Sequence, residues 1–524
     1  MMDNAHSVAP FLPELILAAT VLLVLASDLV AGRPSLARAA TLSLLGLASA
    51  FAVTLSTLHA APRGLFFGLL ARDPFANFFK LLFIGADALI VFAAMRSRDA
   101  IDFAAAPPLR DDGAAEFYAL TLTTTLGMML MAAATDLLTA FLSLEMVSIM
   151  SYVLAAFRRR SRQSAEAGLK YIIYGGVGSA VMLYGMSLLY GLAGSTSFTA
   201  VRLACAHTPA TATVVLAVVL CMAGFGYKVA MVPFHMWTAD VFQGAPTPVT
   251  AFFSVAPKAA GFALVLRFFS GALPGELLAT PAPWALLLGL GAAASMTLGN
   301  LGALQQTNIK RMLGYSSIAH SGYMLLGAAA GGSDGARAVL IYAVTYLFMS
   351  LGAFVTIIAV VEAGVGERIA EWRGLGRRAP WPAAVMSISL FSLTGLPPFA
   401  GFFGKFYLFY ALIARGGSFM MVLGILGVLN SALSLYYYAR VLKAMYFEAS
   451  PVETRLPIRR LHTALLAVVV VPTVMLFSVV SPLQRFVDAS LAEWAPAESR
   501  PTSAQVDRSV NRSSVQLATS SATK

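Results

Sequence analysis

Apolar stretches of roughly 20 residues, the length of a helix that crosses the hydrocarbon core of a bilayer, recur along most of this sequence. Hydrophobic residues make up 58% of the 524-residue chain and charged residues only 12%. That charged share is about half of the share usual in soluble domains. The sequence therefore predicts an all-α polytopic membrane protein rather than a soluble domain.

The apolar stretches divide the chain into about fourteen predicted transmembrane helices. The first stretch has no basic segment before it and is long enough to span, so we interpret it as a helix and not as a cleavable signal peptide. The approximate ranges are 11–31, 38–59, 74–95, 114–133, 136–157, 165–192, 211–241, 247–272, 283–304, 308–330, 335–362, 382–413, 419–446 and 461–483.

Arginine and lysine concentrate in alternate connections between these spans. The positive-inside rule places the richer side in the cytoplasm, so both termini fall on the periplasmic side of a bacterial inner membrane. The net charge of +11 reflects this topology and does not indicate nucleic-acid binding. The basic residues of the richer side are Arg33, Arg38, Arg96, Arg98, Arg158, Arg159, Arg160, Arg162, Lys310, Arg311, Arg373, Arg377, Arg378, Arg455, Arg459 and Arg460.

The seventh and twelfth spans are too long for one straight crossing, and both contain proline. Pro233 interrupts the seventh span, and Pro397 and Pro398 interrupt the twelfth. Proline removes a backbone donor, and lipid tolerates such a break only where it is buried or lines a wet cavity. Because the breaks lie five spans apart, we predict two inverted five-helix repeats, which are typical of transporters.

This pattern predicts five regions along the chain. They are N-terminal helices 1–3 (residues 1–110), a first repeat of helices 4–8 (111–275), a second repeat of helices 9–13 (276–450), helix 14 (451–490) and a polar tail (491–524). The tail is rich in serine, and this composition is typical of disordered segments.

Four charged residues fall near the middle of predicted spans. They are Glu145 in the fifth span, Lys228 in the seventh, Lys258 in the eighth and Lys405 in the twelfth. A charged side chain at the bilayer centre costs about 2.5–3.5 kcal/mol on insertion scales, and such groups usually face a protein interior or a wet cavity. Because burial disfavours the charged form, each group could gain and lose a proton during turnover. We therefore predict a proton relay; the alternative is a purely structural role.

Five further polar residues carry weaker signals. Glu166 and Lys170 stand four residues apart near the start of the sixth span, so they could form a relay pair or a snorkelling surface pair. His320 lies within the tenth span and His235 follows the break in the seventh, and either could simply hydrogen-bond a carbonyl group. For Asp87, in the third span, we favour a structural contact.

Redox and nucleotide chemistry find no support in the sequence. Cys205 and Cys221 lack the spacing of a zinc site or an iron–sulfur cluster. The sequence has neither a dinucleotide-binding glycine motif nor a Walker A motif. We therefore predict that this chain itself holds no cofactor and no metal.

Three stretches resemble the antiporter-like subunits of respiratory complex I. They are GFGYKVAMVPFHMW at 224–237, which continues through GAPTPV at 244–249; QTNIKRMLGYSSIAHSGY at 306–323; and LTGLPPFAGFFGKFY at 393–407. The resemblance covers most of the chain from about residue 70 to residue 446. Within this family the sequence is most similar to the subunit N branch. It ends soon after the fourteenth span, without the long lateral helix of subunit L, and it has Lys405 where subunit M has a glutamate.

The resemblance implies roles for individual residues. Glu145 and Lys228 match the glutamate–lysine pair of the half-channel, Lys258 matches the central lysine, and Lys405 matches the lysine near the exit side. The Glu166–Lys170 segment is also present in subunit N, and His235 lies in its Pro-Phe-His element.

The same resemblance implies a hetero-oligomeric partner set, namely the other membrane-arm subunits, within a lipid bilayer. NADH, FMN, iron–sulfur clusters and quinone are expected in those other subunits. Three alternatives remain open: a subunit of a multi-subunit sodium/proton antiporter, a subunit of a membrane-bound hydrogenase, or a passive scaffold.

Overall fold

The structure is a computed structural model, and it describes residues 6–31, 35–58, 60–95, 113–158, 160–207, 212–274, 283–450 and 454–492. Each of the predicted spans coincides with one helix or, at the seventh and twelfth, with a pair. Arg33, Arg96, Arg98, Arg159 and the predicted tail beyond residue 492 lie outside the described residues.

The helices follow one another with short connections. They are α1 (Leu12–Ala31), α2 (Leu36–Ser56), α3 (Pro74–Ala94), α4 (Ala114–Ala133), α5 (Leu137–Ala155), α6 (Arg162–Ala193), α7 (Phe198–His207), α8 (Ala212–Val229), α9 (Trp237–Gly244), α10 (Thr247–Gly271), α11 (Pro283–Leu304), α12 (Ile309–Ala330), α13 (Gly332–Glu362), α14 (Leu375–Arg378), α15 (Pro380–Thr394), α16 (Ala400–Arg415), α17 (Ser418–Phe447), α18 (Arg460–Ser478) and α19 (Val480–Leu491).

Eleven of the described helices are long and apolar enough to cross a membrane. Two further helices, α4 and α12, match predicted spans but carry more polar residues, and α15 and α16 are the two halves of the broken twelfth span. Short 3₁₀ helices cover Ala9–Phe11 and Ile369–Trp372. The prediction of an all-α polytopic protein is confirmed.

Both predicted breaks are present at their prolines. The seventh span consists of α8 and α9, and the chain between them contains a cis Val232–Pro233 bond; the twelfth consists of α15 and α16, with a cis Pro397–Pro398 bond between them. The backbone N–H of Val232 donates to the Ser295 hydroxyl, and that of Gly401 donates to the Ser392 hydroxyl. Side chains from buried positions therefore satisfy backbone groups that the breaks release.

Helix α10 occupies the centre of the molecule. Every residue from Thr247 to Phe269 is buried, because α3, α4, α8, α12 and α13 pack around it. A lysine on this helix therefore lies in the interior and not against lipid.

A two-stranded antiparallel hairpin, β1 (Arg63–Leu65) and β2 (Leu70–Arg72), links α2 to α3. Next to it, Arg267 of α10 forms a two-point ion pair with Asp73, with both N–O distances 2.8 Å, and donates to the Ala132 carbonyl at 2.7 Å. This bidentate geometry fixes the start of α3 against the central helix, and the third bond does the same for the end of α4.

Candidate functional site

Glu145 of α5 is half-buried and Lys228 of α8 is buried. Lys228 is 2% exposed, and its ammonium group donates to the Ser148 hydroxyl, one turn after Glu145, at 3.1 Å. One carboxylate oxygen of Glu145 is buried without a hydrogen-bond partner among the described residues. The two charges interact electrostatically, but neither residue takes part in any ion pair of the described part of the chain. The structure therefore brings the predicted pair together in an open arrangement.

Lys258 lies on α10, one turn before the position where that helix contacts the Lys228 side chain. A methyl group at Gly261, three residues further along α10, would approach Cγ of Lys228 to 3.3 Å, so the Lys228 side chain packs against the face of α10 that also carries Lys258. The Lys258 ammonium group donates to the carbonyl and hydroxyl oxygens of Ser317 on α12. It also lies 5.6 Å from the centre of the Phe242 ring.

His320 stands between Lys258 and Lys405, surrounded by tyrosines. The Ser317 hydroxyl that binds Lys258 also contacts the Tyr346 hydroxyl at 2.8 Å, and the rings of Tyr346 and His320 lie 5.0 Å apart. His320 contacts the Tyr342 hydroxyl through Nδ1 at 2.6 Å and the Tyr438 hydroxyl through Nε2 at 3.3 Å. Both ring nitrogens thus have hydroxyl partners, which suits a group that takes up a proton on one side and releases it on the other.

Lys405 lies in α16, just after the second break. Its ammonium group donates to the free carbonyls of Leu393 and Thr394, at 3.1 and 2.8 Å, and to the Ser431 hydroxyl at 2.8 Å. It also lies 4.4 Å from the ring centre of Tyr323, whose ring is 5.7 Å from that of His320. The end of α15 therefore supplies carbonyl oxygens that hold this lysine, because the break leaves them without helical partners.

These contacts form a buried polar axis, which we define as Glu145, Lys228, Lys258, His320 and Lys405 with the hydroxyl groups between them. From Lys258 to Lys405 the steps are hydrogen bonds or ring contacts within a core of apolar side chains. Between Lys228 and Lys258 the described side chains form no direct hydrogen bond, and the ring contacts on either side of His320 cannot themselves carry a proton. A proton would need water or a side-chain movement at each of these places.

Glu166 and Lys170 form the predicted i, i+4 ion pair on α6, at 2.7 Å. Lys170 pairs equally closely with Asp240 of α9, and Asp240 also binds Arg311 of α12. These groups are between a quarter and somewhat more than half exposed. Glu166, Asp240 and Arg311 line a polar cavity of about 150 Å³ with Gln163 and Gln243. The pair is therefore part of a surface cluster and does not touch the buried polar axis.

The remaining sequence candidates lie apart from the axis. Nδ1 of His235, after the first break, is buried without a hydrogen-bond partner among the described residues. Asp87 is fully buried in α3 and accepts a hydrogen bond from the Thr125 hydroxyl at 2.9 Å. It lies between α3 and α4, as expected for a structural contact.

Sequence reasoning missed two buried lysines. Lys80 of α3 pairs with Glu14 of α1 at 2.6 Å, with both side chains at most 2% exposed. Lys310, at the start of α12, donates to Glu367 at 3.0 Å and to the Ala245 carbonyl at 2.8 Å. The sequence signal that could have identified this pair is that Glu14 and Lys80 each lie inside a predicted apolar span. Within the described ranges, no group of three or more His, Cys, Asp or Glu residues could hold a metal ion.

Known proteins show the same family signature and the same fold. The family model described as "NADH:quinone oxidoreductase/Mrp antiporter, TM" matches residues 134–431. A Sorangium cellulosum protein named NADH-quinone oxidoreductase subunit N 2 is 48% identical over 505 residues, covering 94% of this chain and 98% of the relative. An Anaeromyxobacter protein named NADH-quinone oxidoreductase subunit N is 48% identical over 481 residues, covering 87% and 91%.

Two solved structures are also similar. A chain of respiratory complex I from Thermus thermophilus is 33% identical, with a TM-score of 0.75, and the match covers 91% of this chain and 99% of that one. A chain of the Mrp complex from Dietzia is 20% identical, with a TM-score of 0.77 and coverage of 94% and 98%. At that lower identity, the second match shows the fold alone.

Proposed function

This chain belongs to the NADH:quinone oxidoreductase/Mrp antiporter membrane family, and we propose that it works as the subunit N type of a bacterial NADH:quinone oxidoreductase. In this role it translocates protons across the membrane while other subunits oxidise NADH and reduce quinone. Relatives at 40–48% identity with this subunit name favour complex I over a sodium/proton antiporter or a hydrogenase.

The observation that carries this proposal is a contrast among the buried lysines. Among the described residues, the partners of Lys228, Lys258 and Lys405 within hydrogen-bond distance are neutral hydroxyl and carbonyl oxygens. Lys80 and Lys310, by contrast, are each paired with a carboxylate. A buried ion pair leaves an uncompensated charge when one partner loses its charge. A lysine held by neutral oxygens can release its proton without creating an unpaired anion, so the first three lysines suit a relay.

The proposed path runs through the buried polar axis. Glu145 stabilises the protonated form of Lys228, and a movement that separates them favours transfer of that proton to neutral Lys258. Lys258 then passes one proton through the Ser317 and Tyr346 hydroxyls and, across the ring contact, through water to His320. His320 passes it on through water to Lys405. Lys405 then releases a proton to the periplasmic side and Lys228 takes one up from the cytoplasmic side, so each group returns to its starting protonation state after one proton has crossed the membrane. Moving one charge against 100 mV requires about 2.3 kcal/mol, which the redox reaction elsewhere in the complex supplies.

The remaining features follow from this role. The chain is a multi-pass membrane protein, and we place it in the inner membrane with both termini in the periplasm, because the basic connections then face the cytoplasm. Its partners are the other membrane-arm subunits. Those subunits and the peripheral arm hold the NADH, FMN, iron–sulfur clusters and quinone, and this chain supplies none of the redox groups.

The proposal is tested by replacing Lys258 with alanine in the assembled complex. In inverted membrane vesicles, NADH-driven proton uptake and quinone reduction should both fall by at least about tenfold, because proton transfer through a missing relay group limits turnover. Arg455→Ala is the control, since that basic side chain is exposed and lies outside the buried polar axis. Wild-type proton uptake in a normally assembled Lys258→Ala complex would overturn the proposal.

A further inference from the structure

A cavity of about 520 Å³ opens on the basic side of the membrane, away from the buried polar axis. Its charged lining consists of Arg368 and Arg373 around the 3₁₀ helix Ile369–Trp372, Arg440 and Lys443 of α17, and one acidic residue, Glu448. We call it the basic cavity. Proton transfer along the axis makes no use of any of these residues.

The charges of the basic cavity do not cancel. Four cationic side chains face one carboxylate, so the lining of the cavity carries a net charge of +3. Glu448 accepts a hydrogen bond from Arg373 at 2.7 Å and lies 3.9 Å from Lys443. The guanidinium group of Arg440 donates to the carbonyl oxygens of Leu304 and Gln306, which orient it but do not neutralise its charge. The cavity therefore attracts an anion.

The position of the cavity along α17 indicates what kind of anion it would hold. Helix α17 has 30 residues, and at 1.5 Å per residue it is about 45 Å long, whereas the hydrocarbon core is only about 30 Å thick. Its last turns, with Arg440 and Lys443, therefore reach the level of the lipid head groups.

An apolar surface runs from the basic cavity towards the membrane interior. Ile425, Leu429 and Tyr436 are 54–63% exposed on α17, and with Lys443 they follow one another at intervals of four and seven residues. Such intervals place them on one face of the helix. On the neighbouring α11, Leu298 and Leu301 are 46% and 45% exposed. An ion in the cavity would thus sit at the end of a surface that fits hydrocarbon chains.

We propose that the basic cavity binds the phosphodiester head group of an anionic phospholipid, whose acyl chains lie along the exposed face of α17. Arginine matches phosphate oxygens with two parallel N–H donors, and basic cavities between transmembrane helices at the membrane surface suit lipid phosphates. The apolar face selects a lipid over a free phosphate ion.

The test uses the assembled complex in phosphatidylcholine vesicles that contain a small share of photoactivatable phosphatidylglycerol. After illumination, the labelled peptides of this chain are mapped by mass spectrometry. We expect labelling on residues 425–447. Each charge near an anionic surface contributes about fivefold in binding, so the Arg368→Gln/Lys443→Gln double variant should lower that labelling about 25-fold.

Matched controls make each outcome decisive. The Arg377→Gln/Arg455→Gln double variant removes the same charge from the same side at exposed positions outside the cavity, and it should keep wild-type labelling. Unlabelled phosphatidylglycerol should compete with the probe. Equal labelling by a phosphatidylcholine probe, or displacement by inorganic phosphate as effective as by phosphatidylglycerol, would overturn the proposal. So would the absence of labelling at this segment in the wild-type complex.

Discussion

At the residue scale, the chemistry of each buried lysine depends on its partner. The structure separates lysines with neutral partners, on the buried polar axis, from lysines with carboxylate partners, which join helices. The sequence alone places Lys80 and Lys228 in similar apolar surroundings. It does not show that Glu14, 66 residues away, comes within 2.6 Å of Lys80, because such a contact depends on how distant helices pack.

His320 carried only a weak signal in the sequence, but its two hydroxyl partners in the structure make it a strong candidate for the proton relay. Replacement by leucine should lower NADH-driven proton uptake and quinone reduction by at least about tenfold, because a positioned acid–base group typically contributes that much or more. His462→Leu is the control, since His462 is equally buried but lies on α18, away from the axis. If both histidine variants pump alike in inverted vesicles, His320 is not a relay group.

The Glu14–Lys80 pair should act on stability rather than on proton transfer. Lys80→Met alone leaves Glu14 buried without a counter-charge, and breaking a buried pair in this way costs about 3–5 kcal/mol. The Glu14→Leu/Lys80→Met double variant should recover most of that loss, because no lone charge remains. Thermal unfolding of the detergent-purified complex measures the stability of the single variant and of the double variant. A double variant less stable than Lys80→Met would contradict this interpretation.

At the scale of elements, the sequence predicted the helices and both breaks well because their signals are local. Apolar length defines a span, and Pro233 and Pro398 mark the interruptions, although Pro257 and Pro472 lie inside continuous helices. The sequence did not predict that Lys170 also binds Asp240, 70 residues further along the chain. The assignment of spans 4–8 and 9–13 to two inverted repeats stays a prediction.

The break in the twelfth span offers a test of how an element supports the site. A methyl group at Gly401 would lie 1.8 Å from the carbonyl oxygen of Ser392, so Gly401→Ala must displace α16 from the end of α15. That displacement moves Lys405 from the carbonyls that hold it, and NADH-driven proton uptake should fall by about tenfold or more.

Gly176→Ala is the matched control, because a methyl group there meets nothing within 4 Å. Proton uptake and assembly of that variant should stay at the wild-type level. Normal pumping by Gly401→Ala would mean that the exit-side lysine tolerates a shift of its helix, contrary to the geometry described here.

At the scale of the whole molecule, the fold places a chain of proton-accepting groups inside an otherwise apolar bundle. Helix α10 is buried on every side and carries Lys258 at the centre, while the two broken spans place Lys228 and Lys405 on either side of it. The ends of α8 and α15 bring polar backbone groups into the interior. Such groups are costly at membrane depth and are tolerated only where protein encloses them or where they line a wet cavity. The architecture thus fits a subunit that moves protons and holds no redox group.

The most direct test of this account is the Lys228→Ala variant in inverted membrane vesicles, after normal assembly of the complex has been verified. NADH-driven quinone reduction and NADH-driven proton uptake are measured on the same preparation. On the proposed path, redox turnover acts first on Lys228, which passes its proton to Lys258, so we predict that both activities are lost together. If both stay at the wild-type level, Lys228 is a structural charge, and the proton path does not run through the buried polar axis.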